Sequence, residues 1–253
     1  MISVVLLGTG NVSKNLFESF LNSDEIDVLR VVGRSEKGLV HFKNRTETST
    51  DWNALPKADI YILAINDDAI AEVSKNLMIN GLIVHTSGSV PLAVLADHSH
   101  SGVLYPLQTF TSNKIIDLDK VPFCLEAKDP TDLDLLQKFA QLLSNHMVHV
   151  SSEKRKVLHL AAVFVNNFTN HMYTIANDIS ETNDLDFDLL KPLIKETVSK
   201  LDYLSPTEAQ TGPAKRGDLK TLHGHLDLLK DSQHREIYKL MSNAIKASYG
   251  KKL

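Results

Sequence analysis

From Ile2 to Leu7 the chain is an apolar segment, ISVVLL, that stops at Gly8-Thr9-Gly10-Asn11 and gives way to the helical spacing of Val12, Leu16, Phe17, Phe20 and Leu21. That order predicts a strand, a glycine turn and a helix. Similar apolar runs recur at Val28 to Val32, closing at Gly33, and at Ile60 to Ile65, following a helix stop at Pro56. Four more follow at Leu82 to His85, Gly102 to Leu104, Phe123 to Glu126 and Met147 to Val150. Apolar runs that do not alternate, separated by helix-spaced stretches, predict a mainly parallel sheet covered on both faces. Residues 1–150 therefore read as a doubly wound α/β domain.

After Ser151 and Ser152, suited to cap a helix, the strand patterning stops. Val157 to about Ile179 is apolar nearly all round, which predicts a helix buried at the centre of a bundle. Leu189 to Leu204 has helical spacing if Pro192 lies in the first turn. Leu219 to Leu229 and Ile237 to Ala247 complete an all-helical domain over residues 151–253. A helix this apolar is poorly covered by a few short neighbours, so a homodimer formed mainly by the helical half is expected.

Charge removes several function classes. Lys and Arg number 27 against 31 Asp and Glu, so no basic field exists to gather nucleic acid or anionic lipid. A lone cysteine, Cys124, cannot form an internal disulfide, and no run approaches the roughly 18 apolar residues of a membrane span. A cytoplasmic, soluble protein acting on a small molecule is the expectation.

Gly8-Thr9-Gly10-Asn11-Val12-Ser13 reads G-x-G-x-x-S directly after a strand and at a helix start, the context in which such a turn binds a dinucleotide. The first glycine permits the turn, the second admits a pyrophosphate, and the helix N–H groups meet the anion. Where an NAD site places a carboxylate, this chain has Gly33-Arg34-Ser35, and a guanidinium with a hydroxyl suits a 2′-phosphate. Ile65 and Asn66 end one strand, and Ser87 and Gly88 follow another, where ligands gather in open parallel sheets. These residues are expected to line the cofactor, although Asn66 to Asp68 also suit a helix cap.

At 100° per residue, His159, Asn166, Asn170, Tyr173 and Asn177 share one face of the apolar helix. An imidazole with amides suits proton exchange and the orientation of a carbonyl or imine, with His159, Asn166 and Asn170 as candidates alongside Ser87. A hydrogen-bonded core or interface network remains the alternative. Arg216, between Gly212-Pro213 and Gly217-Asp218, is suited to hold an anionic group, and Asp218 to cap the next helix. No H-E-x-x-H or cysteine pair occurs, so no metal is expected.

The segments GTGNVS, ADIYILAINDDAI, HTSGS, YPLQTF, LHLAAVFVNNFTNH and QTGPAKRGD together resemble the bacterial Rossmann-like proteins whose C-terminal helical domain is of unknown function. The resemblance covers nearly the whole chain. It extends to the superfamily of pyrroline-5-carboxylate reductases, 6-phosphogluconate dehydrogenases and β-hydroxyacid dehydrogenases, and it implies NADP and oxidoreductase activity without a substrate. Gly33-Arg34-Ser35 looks like the Asn-Arg-Thr type turn that selects NADP there. The β-hydroxyacid dehydrogenases carry a catalytic Lys followed four residues later by Asn, whereas His159 is followed by Val163. Pyrroline-5-carboxylate reductases have a different loop where this chain has Thr211 to Asp218, which argues against proline synthesis. The expected activity is hydride transfer between NADP and a small, anionic C=O or C=N compound. A catalytically silent NADP-binding sensor is the rival.

Overall fold

The computed structural model describes residues 1–112 and 114–249. The last four residues of the expected helical domain, 250–253, lie outside the described residues. The chain divides into two compact units, Met1–Asn166 and Asn167–Leu253.

The first unit is built on eight strands, β1 (Ile2–Leu7), β2 (Ile26–Val32), β3 (Glu47–Ser49), β4 (Ile60–Leu63), β5 (Leu82–His85), β6 (Ser101–Pro106), β7 (Phe123–Ala127) and β8 (Met147–His149). They form one sheet in the order β3-β2-β1-β4-β5-β6-β7-β8. Every pair is parallel except β6 with β7. The helices of this unit are α1 (Asn11–Leu21), α2 (Glu36–Leu39), α3 (Asp67–Lys75), α4 (Pro130–Gln141) and α5 (Ser152–Ala162).

The continuous apolar strands follow from two-sided burial. In β1, Val4 and Leu6 face a core with Phe17 and Phe20 of α1 and Phe139 of α4, while Val5 and Leu7 face a second core with Ile70 of α3 and Leu95. A smaller cluster of Val103, Tyr105 and Cys124 receives Leu158, which seats α5 on β6 and β7. That seating carries the first compact unit to Asn166, beyond the boundary at residue 150 expected from composition. Composition marks where strands stop, whereas compactness follows contacts. The chain runs from β1 outward to β2 and β3, then returns to place β4 on the other side of β1, so the sheet reverses direction between β1 and β4.

The second unit holds α6 (Thr169–Thr182), α7 (Lys191–Ser199), α8 (Pro206–Ala209), α9 (Pro213–Arg216), α10 (Leu219–Leu228) and α11 (Ser232–Tyr249). Pro192 sits in the first turn of α7, as its missing N–H requires. The expectation of one continuous, buried helix over Val157 to Ile179 is corrected in two ways. A π-helical segment, Val163–Phe168, separates α5 from α6, and the 100° phase does not run through it. Within one chain many apolar side chains of this stretch are exposed, among them Val157 at 66%, Leu160 at 57% and Val165 at 75%. Leu189, Leu193, Val198, Leu219, Leu228 and Leu240 are also exposed, whereas the buried apolar side chains described from residue 167 onward are Ile175, Ala214 and Leu222. No helix is long and apolar enough to cross a membrane among the described residues.

Candidate active site

The glycine turn lies where the sheet reverses. Gly8 has φ +122°, and a Cβ there would stand 2.1 Å from the Ala64 carbonyl oxygen at the end of β4. Only glycine tolerates both the dihedral and the approach. Gly10 precedes α1 with no side chain capping the helix, and nothing lies within 4 Å of where its Cβ would be. An open, uncapped helix start beside a sheet crevice fits a dinucleotide pyrophosphate. Ser13 explains the missing third glycine: it is fully buried, and its hydroxyl donates to the Ala64 carbonyl at 3.3 Å, so a small polar residue packs helix against sheet.

The other turn residues have distinct places. Thr9 is wedged against Gly33 and Gly38, where added Cβ atoms would meet it at 2.6 Å in both cases. The Asn11 side-chain amide donates to the Phe110 carbonyl at 3.1 Å, tying the connection after β6 to the glycine turn. Val12 and Ile65 pack against the two cores. Arg34 is exposed just beyond β2. Ser35 caps α2, its hydroxyl oxygen accepting the Gly38 N–H at 3.4 Å. Asn66 precedes α3 without a side-chain cap hydrogen bond and is exposed.

Next along the sheet edge, the connection after β5 brings in the chemistry. Ser87 is buried, and its hydroxyl oxygen accepts the Ser89 and Val90 N–H groups at 3.1 and 3.0 Å. The hydroxyl thus builds the turn. Ser89 in turn donates to Asp67 at 2.6 Å. A Cβ on Gly88 would stand 2.6 Å from His159 Nδ1 and 2.7 Å from Tyr105 Cζ. His159 therefore rests on the carboxyl end of the sheet, in the first unit. Its Nδ1 is 3.1 Å from the Tyr105 hydroxyl, with the rings edge to face. Burial pushes the Tyr105 hydroxyl up to about 12, so it stays un-ionised.

Residues 3–85 match the family described as NADP oxidoreductase, coenzyme F420-dependent, and residues 121–245 match a domain of unknown function. A "putative NADP oxidoreductase" from Bacteroides fragilis is 38% identical, covering 96% of this chain and 97% of its own, with a TM-score of 0.88. The chain belongs to this NADP oxidoreductase family. At fold level it also resembles a reductive aminase from Aspergillus terreus solved with NADPH, at 11% identity, coverage of 100% and 95%, and TM-score 0.74. A 1-pyrroline-5-carboxylate reductase from Streptococcus pyogenes gives 12%, coverage of 96% and 98%, and 0.65. No curated protein matches.

In this NADP oxidoreductase the residues of the expected helical stripe fall in separate elements. Asn166 is exposed in the π-helical segment, and Asn170, also exposed, belongs to α6 of the second unit. Asn177 donates to Glu181 at 2.9 Å. Arg216 is exposed at the end of α9, before Gly217 at φ +69°, and Asp218 caps α10 by accepting the Thr221 N–H at 3.1 Å. Tyr105 was absent from the expected site residues. Its signal is only its position at the carboxyl end of β6. Another polar group, His100 with Asp129 and Asp132, starts α4: Asp129 caps the helix and His100 lies 2.9 Å from Asp132.

His85, fully buried at the end of β5, accepts the Ser87 N–H at 3.2 Å. Burial first, and the Arg155 charge second, push its pKa from 6.5 to about 4, against the opposing pull of Asp67 and the Pro91 carbonyl. The ring is thus neutral in the native protein, while the unfolded chain protonates below pH 6.5. Stability from this group is full above pH 6.5 and falls by about 3 kcal/mol as the pH drops toward 4. Urea titrations at pH 7 and 4.5 should show a smaller acid loss for His85→Asn than for the unmutated protein; equal losses would refute the assignment.

Proposed function

We propose that the protein is a cytoplasmic, homodimeric NADP-dependent reductase of small C=O or C=N compounds in which His159, paired with Tyr105, handles the proton. The observation that carries this reading is the contact of His159 with Gly88, which seats an imidazole at the carboxyl end of the sheet that also bears the glycine turn. Gly8, Gly10 and the start of α1 hold the pyrophosphate, and Arg34 meets the 2′-phosphate. Asn66 lines the crevice beside them. Bound NADPH supplies the hydride.

The chain's own contribution is the proton. A protonated imidazole gives its Nε2 proton to the substrate oxygen or nitrogen and returns to the neutral ring. Throughout, Nδ1 keeps its own proton and one partner, because the un-ionised phenol oxygen accepts from the Nδ1–H in both states. Tyr105 thereby orients the ring in either protonation state. An anionic group on the substrate is assigned to Arg216, and the cytoplasm to a chain whose single cysteine is buried and free. The silent sensor makes no use of the His159–Tyr105 pair, so turnover separates the two readings.

Affinity for NADP should exceed that for NAD, and Arg34→Ala should weaken NADP by about 1.5 to 3 kcal/mol, over tenfold, while leaving NAD unchanged in fluorescence titrations. Equal affinities in the unmutated protein would count against the 2′-phosphate contact. Across a panel of small carbonyls and imines, His159→Asn should lower kcat by about 10² to 10⁴ with NADPH binding intact. Tyr105→Phe should lower it less, and Arg216→Ala should raise the substrate KM more than it lowers kcat. No turnover by the unmutated protein across the panel would favour the sensor. The exposed apolar side chains of α6, α7 and α10 call for a second copy as cover. Sedimentation should give about twice the 28.1 kDa chain mass at micromolar concentration, and a monomer would refute the dimer.

A further inference from the structure

Arg155 is the most deeply buried charged side chain among the described residues, 1% exposed. Its Nη1 donates to Glu126 Oε2 on β7, and its Nη2 donates to the Val90 carbonyl at 2.7 Å and to the Ser152 hydroxyl at 3.3 Å. Glu126 also accepts the Ser152 N–H at 2.9 Å and the Ser152 hydroxyl at 2.8 Å. The Leu92 N–H donates to the same hydroxyl oxygen at 2.9 Å. One cluster therefore joins β7, the start of α5 and the connection after β5.

Those are the elements around the Tyr105–His159 pair. Arg155 and His159 are one turn apart on α5. Val90 follows Gly88, on which the His159 ring rests, by two residues. Tyr105 pairs in register with Cys124, two residues before Glu126. An apolar cluster would seal the same space without directional bonds, whereas a planar fork gripping a carboxylate and a carbonyl fixes orientation.

We propose that Arg155 is a positioning residue, which holds the 85–92 connection and α5 together so that His159 Nδ1 stays on the Tyr105 hydroxyl. The proposal rests on the reading of that pair as the proton-handling group. The Arg155 charge also reaches the pair's surroundings, opposing the upward push of burial on Tyr105.

Two variants test it. Arg155→Lys keeps the charge and loses the fork; Arg155→Met with Glu126→Gln leaves no buried charge stranded and carries the test if the first does not fold. In substrate-free protein, the nitrogen-15 signals of the His159 ring report the hydrogen bond to Tyr105, with Tyr105→Phe as the reference for its loss. Both variants should move these signals toward that reference. With the most active compound of the carbonyl and imine panel, kcat should fall about 10²-fold with the NADPH KM unchanged and a larger solvent deuterium isotope effect, as expected of a displaced proton donor. Unchanged ring signals in either folded variant would overturn the positioning role, whatever the turnover. Displaced signals with undiminished turnover would leave positioning standing and overturn the proton role of His159.

Discussion

Any side chain at residue 8 would place a carbon 2.1 Å from the Ala64 carbonyl oxygen, and the rest of the first unit is arranged around that close approach. It lets β1 and β4 stay paired to their carboxyl ends while the chain leaves β1 through a left-handed turn and enters α1. Ser13, one turn into α1, donates to the same carbonyl, so helix, turn and sheet share a single main-chain atom. The result is a helix start beside a crevice, with no side chain capping its N–H groups and open space where a Gly10 Cβ would be. The phosphate recognition proposed for this turn would be a property of backbone placement, which side chains refine.

The proposed proton-handling pair sits further along the same edge, and its phenol is set by burial rather than by formal charge. The His159 ring leans on a main chain stripped of its side chain at Gly88, and its partner is a phenol kept neutral by its surroundings. A carboxylate in that position would favour the imidazolium and resist release of its proton. A phenol serves both forms of the ring. Beneath this pair lies the Arg155–Glu126 ion pair, whose hydrogen bonds cross between three separate chain segments.

The two units differ in how they are held together. The first encloses apolar layers on both faces of its sheet, with aromatic contacts such as Phe20 on Phe139 at 5.5 Å between α1 and α4. The second buries few large side chains of its own and leaves leucines on α7, α10 and α11 in solvent. Apolar burial is the main term opposing chain entropy, and the second unit has little of it within one chain.

The amino-acid sequence by itself determined the strands, the glycine turn and the switch from α/β to helix, because each is written in local spacing. Strands buried on both faces must be apolar throughout, and a strand–glycine–helix order leaves few alternatives. The edge strand β3 escaped because Glu47–Ser49 is three polar residues whose strand character comes from pairing with β2. The expectation of one continuous α-helix failed because a constant 100° step assumes one hydrogen-bond pattern, and the segment Val163–Phe168 adopts another. Gly88 and His159 were legible as candidates, but only tertiary structure brought them together with Tyr105, Glu126 and Arg155, because the four stretches of chain that supply these residues have no spacing between them to read. Sheet order makes them neighbours, since β5, β6 and β7 lie side by side and α5 returns across them.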